Sequence, residues 1–258
     1  MTPPISLCIA NWNKAGKIEA TLRSIQDCAW CRELLVFDSG STDGSDQTAR
    51  DFGARVEYHD WIDYTTSKRN MVEAATHDWV FILDADEEIS TPLREEVANL
   101  DETRFSSHPL MWVPRRNYLL GRHVRAWDPD YQPRLFDRTR VTWRQATLHD
   151  GRRASEGTET RLAGHLLHNR MSNDFHDYFD GPRFDNRIES TARELFQRGK
   201  RTHGVELALR PAFAFFKFYL LKRGFTQGSF GLLVAQKAAL SVQLKYARLW
   251  HLQQQADE

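Results

Sequence analysis

The feature that most constrains this chain is an alternation of short apolar runs with amphipathic stretches through its first hundred residues. Ile5-Ser6-Leu7-Cys8-Ile9-Ala10 reads as a buried strand, after which Ile18, Leu22 and Ile25 recur at helical spacing. Glu33-Leu34-Leu35-Val36-Phe37 predicts a second strand, residues 43–52 a helix stopped by Gly53, and residues 54–58 a third strand. Residues 66–76 predict a helix, and Trp79-Val80-Phe81-Ile82-Leu83 a fourth strand. Thr91 is expected to cap the next helix, with Pro92 at its first position and Glu95 and Glu96 early in it. Strands and helices in this rhythm imply βαβ units around a parallel sheet, so the fold class is α/β.

Residues 108–170 read differently. Leu110-Met111-Trp112-Val113 and Arg134-Leu135-Phe136 sit among charges and turn residues, which predicts a mixed extension of the sheet with long loops. From about Asn173 onward the pattern is helical. The whole chain of 258 residues is 41% apolar and carries 35 basic against 35 acidic side chains. That balance excludes a polyelectrolyte that binds nucleic acid non-specifically, and the apolar share excludes a disordered chain. Three cysteines point to a reducing compartment. No signal peptide follows Met1-Thr2-Pro3-Pro4, and no run reaches the roughly 18 apolar residues of a membrane span. The expectation is a soluble cytoplasmic protein.

In an open parallel sheet, ligands bind beyond the carboxyl ends of the strands. The first strand ends at Asn11-Trp12-Asn13, the second runs into Asp38-Ser39-Gly40-Ser41-Thr42-Asp43, and the fourth into Asp84-Ala85-Asp86-Glu87-Glu88. Carboxylates emerging together from buried strands repel one another unless a cation lies between them. A hard divalent ion answers that need, and Mg²⁺ commonly joins one or two carboxylates to substrate phosphates. The plainer reading is that these acids open a solvated loop or cap the following helix.

These segments, with Arg69-Asn70, resemble the nucleotide-sugar half of family 2 glycosyltransferases. Pro114-Arg115-Arg116-Asn117-Tyr118, Leu120-Gly121, residues 129–136 and Leu167-His168 are similar to one branch of that family, the lipopolysaccharide core glucosyltransferases acting on an inner-core heptose. The resemblance implies a GT-A fold, a Rossmann-like mixed sheet flanked by helices, with a C-terminal helical extension. It implies inverting transfer of a hexose, glucose foremost, from a nucleoside-diphosphate sugar to a lipopolysaccharide core or related glycan. It divides the chain into a nucleotide-sugar half at 1–104, an acceptor and catalytic half at 105–172 and a helical region at 173–258.

By the same likeness Asn11 and Trp12 line the base pocket, Asp38 contacts the base, and Arg69 approaches the nucleotide. Asp84 meets the ribose or a Mg²⁺ or Mn²⁺ ion, Asp86 ligates that ion, and a late histidine, His168, completes its shell. A UDP-sugar is the foremost donor. The likeness also places the general base at Asp130, among Trp127, Tyr131 and Trp143, whose faces suit sugar rings and whose bulk suits a raised carboxylate pKa. Its alternative is a loop aspartate paired with Arg125 or Arg134. Asp128 and Asp150 are the substitutes, and Arg134 either orients Asp130 or supports the diphosphate.

Other histidines are weaker candidates. His165-x-x-His168 has a spacing that sets both on one helical face, yet two histidines alone make a poor metal site, and His149 and His176 rank lower. Cys28-Ala29-Trp30-Cys31 follows the first helix and precedes the second strand, away from the helix amino terminus that a redox thiol needs. Residues 209–223 are aromatic, basic and free of acids, which suits a helix lying on the inner face of an anionic membrane; ordinary core packing accounts for the aromatics equally well. Two rival functions remain. A sugar nucleotidyltransferase shares the sheet and the metal but would need a Gly-rich basic loop that residues 11–16 do not supply. A carbohydrate- or nucleotide-binding protein on a degenerate transferase fold would not need Asp84, Asp86 and Asp130 together.

Overall fold

Five consecutive apolar residues at 79–83 leave a strand no face to turn toward water, and the fold is built around that strand. The computed structural model describes residues 2–143, 151–171 and 181–257. The chain forms two units, Met1–Arg116 with Pro129–Arg170, and Asn117–Asp128 with Met171–Glu258.

In the first unit β1 (Ile5–Asn11), α1 (Ala15–Ile25), β2 (Cys31–Asp38), α2 (Ser45–Asp51), β3 (Arg55–Tyr58), α3 (Tyr64–Glu73) and β4 (Trp79–Asp84) follow one another as the apolar rhythm predicts. Then come β5 (Glu87–Ile89), α4 (Thr91–Ala98), α5 (Glu102–Ser107) and β6 (Leu110–Leu119). Past the short β7 (Arg122–His123), which belongs to the second unit, the chain continues through β8 (Tyr131–Asp137), β9 (Val141–Trp143), β10 (Arg152–Ala154), β11 (Glu159–Arg161) and β12 (Leu166–Met171). The main sheet runs β3-β2-β1-β4-β8-β6-β12-β5. β3, β2, β1 and β4 pair in parallel, whereas β8 joins β4 and β6 joins β8 antiparallel. The sheet is therefore mixed, as the change of pattern after residue 108 suggests.

Both faces of β4 are covered. Phe81 and Leu83 pack with Ile18 and Leu22 of α1 and Leu93 of α4, while Val80 and Ile82 pack with Met71 and Val72 of α3. Phe81 is fully buried, and truncating such a side chain to alanine costs about 3–5 kcal/mol. One helix start departs from expectation. Ser90, not Thr91, caps α4, its Oγ accepting from the Leu93 N–H at 3.3 Å, so Pro92 stands at the second helical position, where its missing N–H is still harmless. The segment leading into β12 is drawn close to α4 at Gly164, where a Cβ would lie 2.3 Å from the Leu93 Cα. Glu96 accepts from the Gly164 N–H at 2.6 Å and fixes that approach.

The second unit is mainly helical, with α6 (Pro182–Gln197), α7 (Gly204–Phe216), a π-helical turn at Lys217–Leu221 and the long α8 (Gly228–Asp257). Residues 172–180 lie outside the described residues; from α6 onward the helical reading holds. Leu119, Val124, Phe230 and Val234 make its small core. No described helix is long and apolar enough to cross a membrane.

Candidate active site

Parallel pairing sets Asn11 beside Asp38 and Ala10 beside Asp84, so the carboxyl ends of β2, β1 and β4 are neighbours, as the sequence implies. What these side chains do there is more specific. Asp38 is buried and folds its own loop: Oδ1 accepts from the N–H groups of Gly40 and Ser41 at 2.9 and 2.7 Å, while Oδ2 accepts from Asn11 Nδ2 at 2.7 Å and Ser41 Oγ at 2.6 Å. The turn needs Gly40 at φ +83°. Asn13 ties the two loops together, donating its N–H to Ser41 Oγ at 2.9 Å and accepting from the Thr42 N–H at 2.8 Å. Trp12 stands 59% exposed above them. The buried Asn11 Oδ1 has no hydrogen-bond partner, which leaves an acceptor on this rim for a ligand donor.

Beside this rim lies a chain of compensated charges. Lys68 of α3 donates to Asp84 Oδ1 at 2.8 Å, and Arg134 of β8 donates through Nη2 to Asp84 Oδ2 at 2.9 Å and to Glu87 Oε1 at 2.6 Å. Arg115 of β6 reaches the same Glu87 oxygen at 3.0 Å and turns its Nε and Nη2 on Asp130 Oδ2 at 2.9 and 2.8 Å. Gln132 donates to the other oxygen of Asp130 at 2.6 Å. Glu87 is fully buried between its two arginines, and stripping either one would leave a buried charge half compensated. Burial alone pushes the Asp84 carboxyl upward, but Lys68 and Arg134 hold it well below the usual carboxylate range.

Asp86 takes a different set of partners. Lys14, at the start of α1, donates to its Oδ2 at 2.8 Å, and His168 Nε2 lies 3.6 Å from its Oδ1. Burial opposes ionisation here too, yet His168 and Lys14 keep the group below its ordinary value. His168 sits on β12 opposite Glu87 of β5. Among the described residues no three His, Cys, Asp or Glu side chains converge on one metal position. Asp86 Oδ1 and His168 Nε2 are instead a two-donor set whose spacing a single ion can span, with diphosphate oxygens to complete the shell. The donor chemistry fits Mg²⁺ or Mn²⁺ on those terms.

Several candidate residues have other partners or settings than the sequence suggests. Arg69 points outward, 59% exposed and paired with Glu73 at 2.9 Å, so α3 brings Lys68 rather than Arg69 to the acids. The partner of Asp130 is Arg115, and Arg134 turns to Asp84 and Glu87. The aromatic setting also differs, because Arg161 stacks on Tyr131 at 4.5 Å and Trp143 packs edge-on against Phe136. His168 lies in β12 and His165 just before that strand begins, so the two do not share a helical face. Asp128 pairs with His123 at 2.9 Å in the second unit, while His149, Asp150 and His176 lie outside the described residues. Burial pushes the Cys28 thiol up to about 12 and the Cys31 thiol up to about 11, away from the thiolate form, and all three cysteines are free.

Known proteins resemble this chain in sequence, and a solved structure resembles it in fold. The sequence profile described as glycosyl transferase family 2 matches residues 6–155. A protein of Rickettsia bellii called a glycosyltransferase is 24% identical over the whole of this chain and 90% of its own length. The lipopolysaccharide core biosynthesis glycosyltransferase LpsC of Rhizobium meliloti is 34% identical over 46% of this chain and 44% of its own. Among solved structures, the mannosyltransferase PcManGT of Pyrobaculum calidifontis, in complex with GDP-Man and Mn²⁺, aligns with all of this chain and 80% of its own at TM-score 0.54 and 15% identity, a likeness of fold. The match to glucosyl-3-phosphoglycerate synthase of Mycobacterium tuberculosis spans only 44% of either chain, with 24% identity and a TM-score of 0.37.

Proposed function

The chain belongs to glycosyl transferase family 2, and from that premise we propose that it moves a hexose, glucose foremost, with inversion from a nucleoside-diphosphate sugar to a lipopolysaccharide core or related glycan. The observation that carries this reading is the physical linkage of Asp130 to the acidic strand end of β4. Arg115 and Arg134 share Glu87, and Arg134 continues to Asp84. A base and a donor-side acid are thus held on one charge-compensated frame.

In this scheme the rim of Asn11 and Trp12 receives the base, with Asp38 holding the loop in shape. The unpartnered Asn11 Oδ1 accepts from the base or ribose. Asp84 offers its remaining lone pairs to a ribose hydroxyl. Asp86 and His168 hold a divalent ion, which supplies charge for the departing diphosphate when bound. Asp130 takes the proton of the acceptor hydroxyl as that oxygen attacks the anomeric carbon; the bond from that carbon to the diphosphate oxygen breaks, and the nucleoside diphosphate leaves with the electron pair. Lys14 and Lys68 stand beside the acids as fixed cations that steady the same charge.

A UDP-sugar is the first donor to try, and similarity to LpsC supports a lipid-linked glycan as acceptor. An enzyme acting on such a glycan works at the inner face of the cytoplasmic membrane. The division into a donor half at 1–104, an acceptor half at 105–172 and a helical region at 173–258 fits this scheme. Calorimetry of the full chain with UDP and GDP, each with and without Mn²⁺, tests the reading. Binding that strengthens with Mn²⁺ in the wild type and not in Asp86→Ala is expected; failure to bind any nucleotide or nucleotide sugar would overturn it.

A further inference from the structure

The second unit carries an apolar face that the donor-site chemistry does not use. Val205, Leu209 and Phe213 of α7 are 68%, 63% and 60% exposed, and Phe216, Leu220 and Leu221 continue the exposed run into the π-helical turn. At 100° per residue Val205, Leu209, Phe213 and Phe216 fall within an arc of about 80°, so they form one stripe rather than a scatter. The opposite side of α7 is committed to the protein: Ala214 is buried, and Arg210 stacks on Tyr246 of α8 at 4.7 Å. A continuous run of large apolar side chains turned to water on a short helix signals a binding surface.

Charge says which surface. Between residues 198 and 228 the sole acid is Glu206, and Arg210 neutralises it at close range. Lys200, Arg201, Lys217 and Arg223 are exposed along and at the ends of the stripe. Phenylalanine and leucine flanked by exposed lysine and arginine, with one acid among them, match an anionic bilayer interface, where rings enter the acyl boundary and cations meet headgroup phosphates. No described helix can cross the bilayer, so the element lies along it. We propose that the exposed stripe of residues 205–221 is an anionic-lipid docking surface. It stands on the second unit alone, and its failure would leave the donor-site reading untouched.

Co-flotation of the full chain with vesicles tests it, using phosphatidylcholine alone and phosphatidylcholine mixed with phosphatidylglycerol. Preferential binding to the phosphatidylglycerol vesicles, weakened by added salt, is expected. Phe213→Glu and Leu209→Glu, both at exposed positions, should each lower partitioning about tenfold or more, with melting temperature and UDP affinity unchanged. Lys217→Glu should lower it about fivefold. Absence of binding to either vesicle would overturn the proposal, as would variants that bind like the wild type. Concentration-dependent dimerisation that Phe213→Glu abolishes, seen without vesicle binding, would assign the stripe to a second copy instead.

Discussion

Arg115 holds Asp130 with two of its nitrogens on one carboxylate oxygen, at 2.9 and 2.8 Å, while its third nitrogen stays on the buried Glu87. A lysine cannot make this fork. Arg115→Lys is therefore expected to lower kcat roughly 10–100-fold with little change in donor KM, because Asp130 loses its aim and the nucleotide rim is untouched. An equal effect on KM for the donor would assign Arg115 to binding.

Asp130→Asn keeps the size and the acceptor oxygen of the side chain but cannot take a proton. Turnover should fall about 10²–10⁴-fold, with nucleotide affinity by calorimetry preserved. Lost affinity instead would move Asp130 to the donor side.

Asp86 and His168 are the pair assigned to the ion. Asp86→Ala should reduce transfer by about 10²-fold or more and remove its sensitivity to chelator. His168→Ala should raise the Mn²⁺ concentration needed for half-maximal rate. Chelator-insensitive transfer at full rate in Asp86→Ala would exclude the assignment.

Neighbouring residues on α3 separate two kinds of basic side chain. Lys68 is buried against Asp84, whereas Arg69 is solvated against Glu73. Lys68→Met should weaken donor binding and destabilise the chain by about 2 kcal/mol, since it removes a buried cation from a half-buried acid that keeps only Arg134. Arg69→Met should alter stability by no more than about 0.5 kcal/mol. Equal effects in thermal unfolding and nucleotide titration would refute the distinction.

Away from the site, Glu33 makes an acid-sensitive clasp. Burial pushes its carboxyl upward, but hydrogen bonds from Ser6, Thr76 and Arg55 outweigh it and lower the group to about 2. A carboxylate depressed on folding stabilises above its unfolded pKa near 4.5 and loses that contribution as pH falls toward 2. With the part lost to solvent screening taken off, the contribution at neutral pH is about 1–2 kcal/mol. Glu33→Gln should lower stability at pH 7 by about that amount and flatten the dependence between pH 5 and about 2, as denaturant titrations across that range would show.

Most of the first unit was legible because its apolar runs are unambiguous. Trp79–Leu83 has no polar residue to hide, and Gly53 and Pro92 punctuate the neighbouring helices. The polar residues at the ends of β1, β2 and β4 followed from strand order. Their partners did not, although periodicity held the clue. Lys68 shares the buried side of α3 with Met71 and Val72, and Arg115 alternates in step with Val113 and Asn117 on β6, while Arg69 and Arg116 face outward. A motif read as adjacent letters loses that distinction. Asp130 could be found by position in the chain, but Arg115 meets it only through the antiparallel pairing of β6 with β8, and Glu87 reaches Arg115 from β5, which no local pattern reveals.

Lys14, Lys68, Arg115 and Arg134 face Asp84, Asp86, Glu87 and Asp130, so this inner lattice is electrically neutral before any ligand arrives. A lone dication would upset that balance in one direction and a lone diphosphate in the other. The two together nearly cancel, so each should raise the affinity of the other. If the proposed function holds, cooperative entry of ion and sugar nucleotide follows from the protein's own charge arithmetic.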